Sequence, residues 1–413
     1  MISLANLRSS AAPWLVLPAF FYMSLFVGGD NFSGTPGYGV ASGELAAWGV
    51  CAIAPAVAGA AAWEAGRQRQ VAQLRTVGVR GRLRQWLWST APVLVLHLVL
   101  VVGALVLAWS TVGAWPAGRG LWAVAHLLVL PFGWGIVGWV LGSLLPRAVA
   151  APLAAVGSWA WIAMPHSMND PWVRHLGGWV IENSSITDLV DPRAYMIPWL
   201  VITGLAGAAV ILSGVRRQPL LASVCALALI VGAVIVGRSM VIGWGYSPLM
   251  EPRAARMVCV GQKPALCVPE EYGATLADST RTVALPAFDA LQATGLPRPE
   301  VVRMVSSKLP PTPGNWPLLW SQNMPADQLA ISVARSAVTG VAADAGIQDC
   351  RQPSPADAWA SIVAGLDAKK VQQLTSSRDW AVVSEVLKRP SADQAQWFTE
   401  TVRSQRHCAK VTQ

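Results

Sequence analysis

The chain has 413 residues, 54% of them hydrophobic and 13% charged, with a net charge of +9. A soluble globular domain carries roughly 25% charged residues, so a wholly soluble fold is excluded. Much of the positive excess is arginine in loops between apolar runs, the pattern of membrane topology rather than of nucleic-acid binding. The deficit of charge is local: residues 1–250 hold fourteen of the 31 basic residues and seven of the 22 acids. The front predicts a membrane domain and the back an ordinary soluble one.

A bilayer core about 30 Å thick needs about 20 apolar residues in a helix. Seven segments meet or approach this, at 11–29, 44–63, 87–111, 121–143, 148–165, 196–214 and 219–243. The first is too long for a cleaved signal peptide, and "VGGDNFSG" offers no small-x-small site, so it predicts a signal anchor. Pro18, Pro55, Pro92, Pro131 and Pro152 fall inside spans, where neighbouring helices satisfy the freed carbonyls. The fifth segment is short and ends in "MPHSMNDPW", which predicts a break or a re-entrant turn.

Arginine placement sets the orientation. With the N-terminus cytoplasmic, Arg8, the cluster between Arg67 and Arg84, Arg147 and the pair Arg216–Arg217 all lie inside. Asp30, Glu44, Asp170, Glu182, Asp188 and Asp191 then lie outside, leaving only Arg119, Arg174 and Arg193 in outer loops. Positive-inside bias of this kind, with seven spans, puts the C-terminal domain outside a plasma membrane. Paired tryptophans near the proposed boundaries, such as Trp86 with Trp88 and Trp159 with Trp161, match an interfacial belt.

The cysteines bear on the same topology. Cys51 and Cys225 lie in apolar spans and predict buried small hydrophobes. Cys259, Cys267, Cys350 and Cys408 all lie in the tail, an even set that in an oxidising compartment predicts a disulfide framework. Of three connectivities, "RMVCVGQKPALCVP" favours Cys259–Cys267 across a hairpin, which leaves Cys350–Cys408. The tail otherwise predicts helices at 270–295 (interrupted at Pro286), 325–346, 354–374 and two more toward the end, with a strand in "RPEVVRMVSS". The expected fold class is an α-helical polytopic membrane domain followed by a disulfide-pinned, α-rich or α+β extracellular domain. The expected division is 1–215 for the membrane domain, 216–250 for a seventh span and linker, and 251–413 for the outer domain.

The segment from Glu64 to Trp86, "EAGRQRQVAQLRTVGVRGRLRQW", is long for a connection between spans. It resembles the cytoplasmic loop of type-two ABC exporter permeases, in which an acid closes span two, a helix lies along the membrane, and a "t-P-v-s-r" turn leads into span three. Glu64 matches the acid, "RQRQVAQLR" the helix, and Thr76 to Trp86 the turn, with Gly78 where the family usually has proline. Gly133–Gly157 resembles the family's fourth span, inner turn and start of span five, and His166–Tyr195 its outer re-entrant element. The resemblance covers roughly residues 1–215; the seventh span and the outer domain depart from it. Arginine in place of lysine over the first 260 residues, with much Ala, Gly and Trp, points to a GC-rich genome such as an actinobacterium's.

The resemblance implies a permease subunit of an ATP-driven exporter, with Glu64, Arg67, Arg69, Val71, Leu74 and Arg75 meeting a separate ATPase. No G-x-x-x-x-G-K-[ST] phosphate loop occurs, so the chain is expected to be no enzyme and to bind no cofactor, the ATP being the partner's. A second permease half, identical or related, and membrane lipid complete the expected partners, without nucleic acid. The alternative is a non-transporting accessory or receptor-like protein that presents its outer domain. An H-E-x-x-H motif and a G-x-S-x-G elbow are both missing, and His407 alone cannot make a zinc peptidase site. His166, Asp170 and His175 read as a solvated loop rather than a metal site. His97 and His126, inside apolar spans, are possible intramembrane polar sites, with interhelical hydrogen bonding the commoner role.

Overall fold

The computed structural model describes residues 10–28, 35–70, 82–181, 184–214, 218–306, 308–309, 311–320, 324–347 and 354–404, the side chains of 82–87 excepted. The chain forms two compact units. The first holds residues up to Ser185 and Leu189–Glu251; the second holds Ile186–Asp188 and everything from Pro252 onward. Residues 186–188, expected in a membrane loop, thus belong to the second unit, where Ile186 is buried in the core.

The helices of the first unit are α1 (Ala12–Val27), α2 (Gly39–Ala47), α3 (Val50–Gln70), α4 (Arg82–Val112), α5 (Gly120–Leu144), α6 (Arg147–Ala163), the short α7 (Pro171–Gly177), α8 (Arg193–Gly214) and α9 (Pro219–Val241). Among the described residues five helical stretches are long and apolar enough to cross a membrane: Trp88–Val112, Gly120–Leu144, Arg147–Ser167, Arg193–Gly214 and Pro219–Val241. A sixth follows if α2 and α3, bent by 44° at Trp48–Gly49, are one span. The first expected span, α1, has only 16 helical residues. The fifth ends as expected in a break: α6 passes into a 3-10 turn at Met164–Ser167, and α7 follows.

The centre of the unit is α3, buried from Val50 to Ala62 except at Pro55. Its alanines are the reason. In hydrocarbon, helices gain little from apolar transfer and associate through close packing of small residues. A Cβ added to Gly138 of α5 would lie 2.2 Å from the Ala58 carbonyl oxygen, and one on Gly142 would lie 2.0 Å from that of Ala62. The two glycines, four apart, therefore let α5 sit on the backbone of α3. The outer faces carry the opposite chemistry, with Trp14, Leu17, Leu98, Val102, Leu220 and Leu227 exposed. Cys51 is buried, as expected, but Cys225 is exposed on α9. Position 225 lies on the outward face of its helix beside Val224 and Leu227, which composition alone does not show.

The second unit is α+β. Strands β1 (Met257–Val260), β2 (Ala265–Pro269), β3 (Val301–Arg303) and β4 (Asn315–Pro317) form a sheet in that order, β1 antiparallel to β2 and the rest parallel. Helices α10 (Gly273–Ala293), α11 (Ala326–Asp344), α12 (Pro355–Val363), α13 (Ala368–Leu374), α14 (Ser377–Val386) and α15 (Ser391–Ser404) accompany it. Their core is built on Trp316, Trp359 and Phe398. Pro286 lies inside α10 without ending it. The expected single helix over 354–374 is two, because Gly365 takes a φ of +106° and Asp367 caps a new start through Lys369 N and Lys370 N. Ser354 and Asp357 form a capping box. Cys259 and Cys267 face each other in the register of β1 and β2 and are disulfide-bonded. Cys350 and Cys408 lie outside the described residues.

Candidate functional site

At the end of the bundle where α3 finishes, Glu64 is fully buried. Arg67, one turn on, donates from Nε over 2.9 Å and from Nη2 over 2.7 Å to its Oε2. A buried carboxylate is costly unless paired, and this guanidinium supplies the pair. Arg69 reaches from Nη1 to the carbonyl of Leu144, 2.8 Å away, at the last residue of α5; a cation there also suits the negative end of the helix dipole. Arg147, opening α6, lies 4.9 Å over the Trp63 ring, and a Cβ on Gly66 would sit 2.6 Å from Arg147 Cβ. The end of α3 is thereby tied by charge to α5 and by packing to α6.

Of the residues expected to meet an ATPase, Glu64, Arg67 and Arg69 are in this cluster, while Val71, Leu74 and Arg75 lie outside the described residues. The expected helix along the membrane from Arg67 to Arg75 begins differently: Arg67–Gln70 continue α3 without a break.

The two intramembrane histidines are well placed. His126 is fully buried. Trp199 of α8 donates its indole N–H to His126 Nδ1 over 2.8 Å. His126 Nε2 lies 2.7 Å from the Gly178 carbonyl oxygen, which only accepts, so the ring is a neutral imidazole protonated at Nε2. With both nitrogens used, His126 is a fastener between α5, α8 and the turn after α7. His97 differs. Its Nε2 donates to the Leu127 carbonyl over 2.8 Å, which leaves Nδ1 as an acceptor with no partner among the described residues. His97 also lines a recess of about 330 Å³ between α3, α4, α5 and α8.

Glu44, expected on the outer side at the start of the second span, is buried on α2. Ser184 donates its backbone N–H to Oε2 and its hydroxyl to Oε1, each over 2.6 Å. Ser184 Oγ in turn accepts from Val190 N over 2.8 Å. The missed signal was a carboxylate inside the apolar run "VASGELAAWG", where an acid calls for a partner. Nearby in sequence, Arg193 grips Asp191, from Nε over 2.9 Å and from Nη2 over 2.5 Å to Oδ2. Burial pushes the Asp191 carboxyl up, but hydrogen bonding and charge from Arg193 outweigh it and hold the carboxyl below its usual range.

Among the described residues no three His, Cys, Asp or Glu side chains gather as ligands. His166, Arg174 and His175 line a space of about 10 Å³, room for one water at most. His175 Nε2 donates to Gly245 O over 2.8 Å. Burial lowers its pKa, the Gly245 bond opposes this, and the Arg174 charge lowers it further. Arg238 lies 5.2 Å over the Trp172 ring, a cation–π arrangement.

Residues 266–408 match the model of a domain of unknown function, DUF7224. The match covers the helices and most of the sheet of the second unit and none of the membrane helices. No match was found among curated proteins or among solved structures.

Proposed function

We propose that the chain is the membrane subunit of an ATP-driven exporter of the type-two ABC class, working with a separate ATPase and a second permease half, identical or related. The observation that carries this reading is the charged cluster at the end of α3. Glu64 with Arg67, Arg69 on the last carbonyl of α5, and Arg147 over Trp63 tie three helices together. They do so where the segment that resembles the family's coupling loop begins, at Glu64. A push on that loop would reach α5 and α6 through bonded groups rather than through a slack connection. The broken helix after α6 and the tight α3–α5 packing agree with the same architecture.

The orientation belongs to the proposal too: N-terminus cytoplasmic, plasma membrane, second unit outside. The Cys259–Cys267 bond supports it, because disulfides persist in oxidising compartments. So does the arginine bias of the loops.

The test is co-purification from native membranes in mild detergent. A bound ATPase whose turnover depends on the chain supports the reading. Replacing Val71 and Leu74 together with Asp should spare membrane insertion and break that dependence; unchanged coupling would exclude the loop as the docking element. One observation favours a second reading, an accessory protein that presents its outer domain: the family match is confined to the second unit. That reading takes over if the wild-type chain never binds an ATPase.

A further inference from the structure

We propose that the recess beside His97 binds a long-chain apolar molecule carrying one hydroxyl, its chain along the walls and its O–H donated to His97 Nδ1. The inference goes beyond transport and holds whether or not the chain couples to an ATPase.

The argument begins with an unsatisfied group. A polar atom in an apolar setting is costly without a hydrogen-bond partner, and in hydrocarbon water is not the default supplier. His97 Nε2 is committed to Leu127 O, so the other nitrogen of a neutral ring is an acceptor, and among the described residues nothing donates to it. Its missing partner must bring a hydrogen. The surroundings then select the rest of that partner. Val57, Val93, Leu94, Phe132, Ile136 and Val140 wall the recess, and they admit an uncharged hydrocarbon body. The volume, about 330 Å³, falls within the roughly 300–1,000 Å³ of small-molecule pockets. Along α4 the recess is long enough for a segment of chain. The seven-residue rise from Thr90 to His97, both lining residues, is about 10 Å at 1.5 Å per residue. Ser213, another lining group, gives its hydroxyl hydrogen to Val210 O over 2.9 Å, so neither it nor His97 Nδ1 can donate, and the polar end of a ligand there must bring the hydrogen.

The test uses the full chain in lipid nanodiscs with two photoactivatable probes: 1-hexadecanol carrying a mid-chain diazirine, and its methyl ether, which cannot donate. Labelled peptides are mapped by mass spectrometry, with unlabelled hexadecanol as competitor. Labelling by the alcohol should map to Thr90–His97 or Phe132–Val140 and be displaced by the competitor. The ether should label about fivefold less, the worth of one hydrogen bond. His97→Phe should abolish that difference. Ile136→Trp, which fills the recess, should remove labelling by both probes. Equal labelling of wild type by alcohol and ether overturns the proposal, since it means an ordinary acyl chain fills the space. Labelling spread over the outward face at Leu98 and Val102 overturns it as well. If either variant fails to fold, the comparison of the two probes on wild type decides alone. No ATPase enters the assay, so its failure leaves the transport reading standing.

Discussion

Trp199 and His126 are 73 positions apart, yet the indole N–H of one donates to Nδ1 of the other over 2.8 Å while His126 Nε2 holds Gly178 O. His126 is thus saturated on both nitrogens, in the interhelical hydrogen-bonding role. His126→Phe would leave an indole donor and a backbone carbonyl buried without partners, each costing about 1–3 kcal/mol. Values measured between membrane helices are smaller, averaging about 0.6 kcal/mol. The expected loss of stability is therefore about 2 kcal/mol, read from unfolding in mixed micelles. A change below about 0.5 kcal/mol would show that the fastening role is wrong.

The α3–α5 contact makes a sharper steric prediction. Gly142→Leu places side-chain atoms where the Ala62 carbonyl already stands, so the helices must part. Overpacking of this kind costs about 1–3 kcal/mol or more. The same substitution at Gly157, which has open space around it, is the control. Stability in detergent should fall at position 142 and hold at 157.

The hairpin disulfide is directly measurable. Unreduced peptides should show Cys259 joined to Cys267, and under the external placement proposed above Cys350 should be joined to Cys408. Replacing Cys259 and Cys267 with serine should lower the stability of the second unit by about 2 kcal/mol, the low end for such bonds because the closed loop is short. Recovery of four free tail thiols from native membranes would count against an oxidising location.

Acid sensitivity should trace in part to Asp191. Its carboxyl is held below the usual range, so below about pH 4 the unfolded chain binds the proton more readily than the folded one. The stabilisation is fully present above the unfolded pKa of about 3.9 and is lost as pH falls through the folded value. Asp191→Asn should flatten the fall of melting temperature between about pH 4 and 2 while lowering stability at pH 7. A variant with an unchanged acid slope would show that the Arg193 pairing does not bear on folding.

Much of the architecture was legible without coordinates because its signals are local. Long apolar runs located the five helical stretches long and apolar enough to cross a membrane, and proline with "MPHSMNDPW" marked the broken fifth span. The hairpin around Gly261 brought Cys259 to Cys267, and the helix expected from 354 does start there, at a Ser354–Asp357 capping box, since caps and turns involve neighbours in sequence. The tertiary structure decided what depends on distant partners. Glu44 became a buried acid only because Ser184, 140 positions on, turns its amide and hydroxyl toward it. Cys225 faces outward because of how α9 is rotated, and residues 186–188 joined the second unit because Ile186 found its core there. His97 and His126 are the same residue type in similar apolar runs. What separates them is which carbonyls and indoles the packed helices place within 3 Å, and helical periodicity carries no record of that.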